Sequence, residues 1–177
     1  DLLVSALGIH VVGSDDDLPR LKNEGWTDAF VSVGSIGDTN LRRRLYQIIK
    51  DLDFVIPTII DPSAVVGRKT EIGEGVFIGK QAVINAGSSI GVCAIINTGA
   101  IIEHDCRIGA FSHISPGGIL CGQVIVGDDS HIGAGTVVRQ SISIGDRTLI
   151  VAGSVVIKDV PNNSKALTRF LNIDNSI

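Results

Sequence analysis

The chain has 177 residues, a net charge of −4, few aromatics and no methionine. That length fits one domain or a small domain joined to a repeat array, and the acidic balance leaves no basic footprint for nucleic acid. No apolar run reaches the roughly eighteen residues of a membrane span, no signal peptide is visible, and the three cysteines (Cys93, Cys106, Cys121) are odd in number without ligand spacing, so the expectation is a soluble, reduced, cytoplasmic protein.

Residues 1–59 show no repeat. His10-Val11-Val12-Gly13 reads as a short strand, after which Ser14 can cap a helix with Asp17 answering it. Residues 28–33 (Asp-Ala-Phe-Val-Ser-Val) read as a buried strand, and Gly34-Ser35-Ile36-Gly37-Asp38 turns into a second helix. That helix is expected to put Leu41, Leu45, Ile48, Ile49 and Leu52 on its apolar face and Arg42, Arg43, Arg44 and Lys50 towards water. Phe54-Val55-Ile56 is a further strand, and Pro57 and Pro62 mark the passage into a different pattern. Strands alternating with helices indicate a small doubly wound α/β unit, whose ligands bind beyond the carboxyl ends of the strands. Gly34 and Ser35 occupy such a place, as a cradle for phosphate or sugar or simply as a tight turn of small residues.

From Ile60 to Val156 an aliphatic returns every six residues without a break. Four residues after each comes a small or β-branched side chain, such as Ala82, Ser88, Ala100, Cys106, Ser112 and Thr136. Neither a helix nor an ordinary strand has that period; it is the hexapeptide pattern of a parallel β-helix. Three hexads make a triangular coil of eighteen residues, so the run supplies between five and six coils. Glycine often follows the aliphatic, as in Ile72-Gly73 and Ile90-Gly91, where a turn demanding unusual φ would explain it.

The period sorts the histidines. His104, His113 and His131 all miss the inward rows and are expected outside the core. His113 and His131, eighteen apart, stack on one face, whereas His104 lies half a coil away. Within one chain His104 and His113 do not readily meet; in a trimer packed face to face they can. Glu103 and Asp105 flank His104, and a carboxylate beside an imidazole fixes its tautomer and favours its protonated form, as a general base requires.

The stretch from Asn97 to Gly109, with Glu103-His104-Asp105 at its centre, followed by Ser112-His113-Ile114-Ser115-Pro116-Gly117, resembles the active-site region of bacterial sugar O- and N-acetyltransferases of the hexapeptide-repeat family. Those include sialic acid O-acetyltransferases and enzymes that N-acetylate nucleotide-linked 4-amino sugars. The resemblance implies a left-handed parallel β-helix preceded by a small Rossmann-like α/β domain, assembled as a homotrimer. It implies residues 1–59 as a sugar-nucleotide-binding domain, 60–160 as the β-helix and 161–177 as a tail. It further implies His104 as catalytic base with Asp105 or Glu103 tuning it. His113, Gly122, Ala134 and Ala152 would lie along acetyl-CoA, the Gly122 N–H facing the thioester oxygen, and Gly34 and Ser35 near the acceptor nucleotide. Acetyl-CoA is the only cofactor implied, with no metal. The chemistry is direct transfer, since an activated thioester needs no enzyme nucleophile; the nucleotide-linked amino sugar is preferred over sialic acid as acceptor.

Two family features are missing: the opening strand with its glycine-rich turn, since Asp1 falls about where the family has an Asp pair after its second strand, and a Gly-x-Pro-Ala-Lys-like stretch, here Asn162-Asn163-Ser164-Lys165 running on to Ala166-Leu167-Thr168. A sheet lacking its first strand would expose an edge, so omission of those residues is the expectation. Two remoter functions share the scaffold: a γ-carbonic anhydrase-like enzyme using the three histidines as metal ligands, and a non-catalytic trimeric scaffold.

Overall fold

The computed structural model describes residues 9–166; Asp1 and the tail from residue 167 onward lie outside the described residues. From Ile59 onward the chain winds as a parallel β-solenoid of two-residue strands in three sheets of seven, six and five strands. The first face runs from Ile59–Ile60 to Lys165–Ala166, the second from Val65–Val66 to Val155–Val156 and the third from Glu71–Ile72 to Ser143–Ile144. Strands pair with those eighteen residues on, as Ile95 with His113 and Ile101 with Ile119. The last coil is two residues shorter, Leu149 pairing with Lys165.

The aliphatic row fills the interior: every member from Ile78 to Val156 is buried, as is the small-residue row from Val76 to Ser154. Ile60 and Val66 are exposed, because the first coil has no coil beneath it. One inward column is polar. The Ser112 hydroxyl donates to Gly127 O (2.6 Å) and accepts from the Ser130 N–H (2.9 Å). Ser130 repeats this with Gly145 O and the Thr148 N–H, and Thr148 donates to Pro161 O. Each buried hydroxyl is thus satisfied twice by the next coil, where an unmet partner would cost about 1–3 kcal/mol.

The glycines after the aliphatics have a different cause from the one expected. Left-handed φ recurs every sixth residue from Lys69 to Gly153, three places after each aliphatic, and is taken by Asp105, Phe111 and Cys93 as well as by glycine. At Gly73 and Gly91 a Cβ would instead meet backbone nitrogen of the coil above, Val92 N at 2.8 Å and Ala110 N at 2.6 Å. Close stacking of backbones, not φ, selects glycine there.

Ahead of the coil stand a 3₁₀ turn (Asp15–Asp17) and two helices, α1 (Leu18–Asn23) and α2 (Asn40–Asp51). The Ser14 N–H donates to the Asp17 carboxylate (2.8 Å), as the capping pattern predicts. A Rossmann-like sheet is not evident among the described residues: the segments at 28–33 and 54–56 share a single parallel bridge, Asp28 with Val55, with Ala29 N–H donating to Val55 O. The residue 28–33 stretch is half-buried to exposed, because no strand among the described residues covers it. Helix α2 also turns differently from its apolar pattern. Arg42, expected in water, is 2% exposed, while Leu41 is exposed. The helix docks through Arg42, Arg43 and Tyr46 onto the polar third–first corner of the solenoid, so hydrogen bonding sets its rotation. Arg42 donates to the carbonyls of Phe111 and Cys93, Arg43 grips the Asp129 carboxylate at 2.7 and 2.8 Å, and Tyr46 donates to Glu74. Burial alone would raise the Asp129 carboxyl, but Arg43 and the Thr39 hydroxyl outweigh it and hold it below the ordinary carboxylate range.

Candidate active site

Three clusters arise from this winding. The first is at the corner between the second and third faces. Asp105 holds the left-handed position of its turn (φ 59°), a conformation Asp tolerates better than most residues, and its carboxylate accepts from His104 Nδ1 at 2.8 Å. That bond puts the proton on Nδ1 and leaves Nε2 as the open acceptor. Glycines make the room. Gly122 lies one coil above His104, where a Cβ would sit 2.5 Å from Nε2, and Gly87 lies one coil below Asp105, where a Cβ would strike its carboxylate. Glu103 is turned elsewhere, accepting from the Asn85 amide at 2.9 Å. The Gly122 N–H donates no hydrogen bond among the described residues, while its carbonyl accepts from Ser141 N–H.

The second cluster is on the first face. His113 and His131 are register partners with rings edge to face, centroids 4.9 Å apart. His113 Nδ1 donates to the Ser35 carbonyl at 3.2 Å, and Nε2 faces the Asn97 amide at 3.1 Å. Ser115 Oγ meets His131 Nε2 at 3.1 Å. Both point out from the solenoid as their spacing predicts, yet His131 is only 7% exposed, because the loop carrying Ser35 covers this face; the expectation that it lies outside any core is corrected. Burial lowers the His113 imidazole from its ordinary value and, with His113 alongside, lowers His131 to about 4. A histidine protonated in the unfolded chain but neutral when folded makes stability fall as pH drops from about 6.5 to about 4. Replacing His131 with Gln should flatten that dependence by roughly 3 kcal/mol, read from urea midpoints across the window; an unaltered slope would refute the assignment.

The third cluster is a groove of about 540 Å³ along the first face and the corner between the first and second faces. Ala134 and Ala152 line it with His113, His131, Ile36 and Lys165. Like Gly122, Ala134 and Ala152 have N–H groups that donate no hydrogen bond among the described residues, in contrast to those of Ala110, Asp128 and Asp146, which are capped by Asp128, Asp146 and Asn162. His113 also borders a cavity of about 240 Å³ lined by Gly34, Arg42 and Asn97. Ser35 is therefore brought to His113, and Gly34 to the neighbouring cavity.

His104 is not joined to these: it stands on a different corner from the groove, as half a coil of separation requires. Sequence reasoning missed Asn97, Asn85, Gly87 and Arg42 as shaping residues; counting eighteen from Asp105 would have found Gly87. Burial pushes the thiols of Cys93 and Cys106 up to about 11, which suits inert core residues. No group of three potential metal ligands comes together among the described residues, and no described helix is long and apolar enough to cross a membrane.

A hexapeptide-repeat profile, described for succinyl-transferase, matches residues 123–158. Comparison with curated proteins gives no match. Among solved structures, perosamine N-acetyltransferase from Caulobacter crescentus, crystallised as a histidine variant with CoA and GDP-perosamine, is 41% identical with a TM-score of 0.88, over 92% of this chain and 76% of that one. The acetyltransferase domain of PglB from Neisseria gonorrhoeae, in complex with acetyl coenzyme A, is 34% identical with a TM-score of 0.87, over 93% and 78%. WeeI from Acinetobacter baumannii, at 22% identity and a TM-score of 0.77 over 92% and 76%, shares the fold.

Proposed function

The chain belongs to the bacterial hexapeptide-repeat sugar acetyltransferases, and from that membership we propose that it acetylates the amino group of a nucleotide-linked amino sugar in surface glycan assembly. It is an acetyl-CoA-dependent enzyme. The observation that carries the proposal is the His104 imidazole, tied at Nδ1 to Asp105 with Nε2 open beside the unbonded N–H of Gly122.

In the proposed reaction the sugar amine attacks the thioester carbonyl as His104 Nε2 takes its proton. The C–N bond forms, the C–S bond breaks, and the CoA sulfur leaves, receiving a proton as thiol. The Gly122 N–H donates to the carbonyl oxygen while it carries negative charge. Ala134, Ala152 and His113 border the coenzyme's groove, and Gly34 and Ser35 border the acceptor, with residues 9–59 forming the acceptor-binding unit. Asp105, not Glu103, tunes the base, since Glu103 is engaged by Asn85.

A homotrimer completes the site. The outward row of the second face is apolar throughout (Val65, Val83, Ile101, Ile119, Val137, Val155), and Val65 and Val155 are 58% and 60% exposed. This face runs between the corner carrying His104 and the corner carrying Ala134 and Ala152. Packing copies through it would bring one copy's base to another's coenzyme. The winding is left-handed and the setting cytoplasmic in this reading. His113, with both ring nitrogens hydrogen-bonded, is poorly disposed as a metal ligand, which argues against the carbonic anhydrase alternative.

The test is release of free CoA from acetyl-CoA with a panel of nucleoside diphosphate-linked amino sugars, free amino sugars and sialic acids. Turnover is expected with a nucleotide-linked amino sugar; turnover with sialic acids alone would overturn the acceptor assignment.

A further inference from the structure

The groove lined by Ala134 and Ala152 has a chemical asymmetry along its length. Its walls are largely apolar, with Ile36, Pro116, Leu149 and Val151 among them, and its one cationic lining residue is Lys165 at the far end. Lys165 is exposed and forms no ion pair among the described residues, whereas Lys50 and Lys80 pair with Glu74 and Asp61. Its position is fixed by register, not by a loose tail: His113, His131, Leu149 and Lys165 follow one another as cross-strand partners on the first face.

Three strand spacings separate His113 from Lys165, roughly 14 Å at ~4.8 Å each. Pantetheine has about thirteen bonds between its sulfur and its first phosphorus, slightly more than four extended residues, and so spans roughly 14–15 Å. A coenzyme whose thioester lies level with His113 and whose arm follows the stacked coils therefore delivers its phosphates to the level of the ammonium group. An apolar wall for the arm and one unpaired cation for the anionic end is the complement of acetyl-CoA as a whole, not of its reactive half.

We propose that Lys165 binds the phosphates of the coenzyme's nucleotide end and makes the enzyme discriminate acetyl-CoA from acetyl donors that carry pantetheine alone. This rests on the coenzyme reading above. Lys165 contributes to binding the donor and not to the chemical step, because its charge meets a part of the donor that does not change during transfer.

The experiment compares acetyl-CoA, 3′-dephospho-acetyl-CoA and acetyl-pantetheine with the wild-type chain, Lys165→Gln and Lys165→Arg. Lys165→Gln should raise KM for acetyl-CoA roughly tenfold, the scale of one charge-assisted phosphate contact, leave kcat within about twofold and not alter acetyl-pantetheine kinetics. Lys165→Arg should retain the wild-type preference, and added salt should erode it. If the dephospho donor abolishes the difference between wild type and Lys165→Gln, the contact is to the 3′-phosphate; if the difference persists, it is to the diphosphate. An unchanged KM for acetyl-CoA, or an equal change with acetyl-pantetheine, overturns the proposal while leaving the acetyltransferase reading intact. Failure of the wild-type chain to use acetyl-CoA with any amino sugar or sialic acid would overturn both.

Discussion

Replacing His104 with alanine should lower kcat by roughly 10²–10⁴-fold, the usual contribution of a positioned general base, with acetyl-CoA affinity nearly unchanged. The expectation comes from the hydrogen bond at Nδ1. With Asp105 accepting there, Nε2 is the ring's free lone pair, and neither of the other two solenoid imidazoles offers one so placed: His113 is engaged at both nitrogens, and His131 is buried with Ser115 on Nε2. The fold should tolerate the change, since the side chain is exposed and its carbonyl keeps its bond from Gln123 N–H. Steady-state CoA release together with equilibrium binding of CoA separates the two effects. A variant retaining wild-type kcat would sink His104 as the base.

Gly122→Ala should be nearly as damaging without touching a titratable group. Its φ lies outside the left-handed region, so the backbone accepts alanine, and melting should shift by no more than a surface substitution does, about 0.5 kcal/mol. The added methyl, however, falls 2.5 Å from His104 Nε2 and 2.7 Å from Cε1, and the ring must swing away. Displacement of a reacting group by about 1 Å costs on the order of 10² in rate. The measurement is kcat beside a thermal melt; a large loss of kcat at unchanged stability is expected, and full activity would show that the imidazole works from another position.

The solenoid was legible in the sequence because its core is one-dimensional: each buried residue depends only on its own place in the beat and on coils eighteen residues away. The same count stacked His113 on His131 and put Gly122 above His104. What escaped was set by contacts that no period encodes. His131 is buried by a loop almost a hundred residues earlier, and Arg42 is buried because the carbonyls of Cys93 and Phe111 receive it, against the helix's apolar pattern. The reason for Gly73 and Gly91 was misjudged because a sequence does not distinguish a glycine needed for φ from one needed for clearance. The β-forming composition of residues 28–33 reads as a buried strand, but a ladder needs a partner, and among the described residues only Asp28 finds one, in Val55.

The buried hydroxyl column of Ser112, Ser130 and Thr148 bears on how the winding chooses its circumference. An aliphatic every six residues is equally content with two, three or four hexads per turn, because each choice lays isoleucine on isoleucine. A strand that slid by one hexad would carry Ser130 away from the Gly145 carbonyl and the Thr148 N–H and strand all three in a dry interior. Three hydroxyls thus act as a combination lock: the greasy repeat permits many threadings, and the sparse polar thread accepts one.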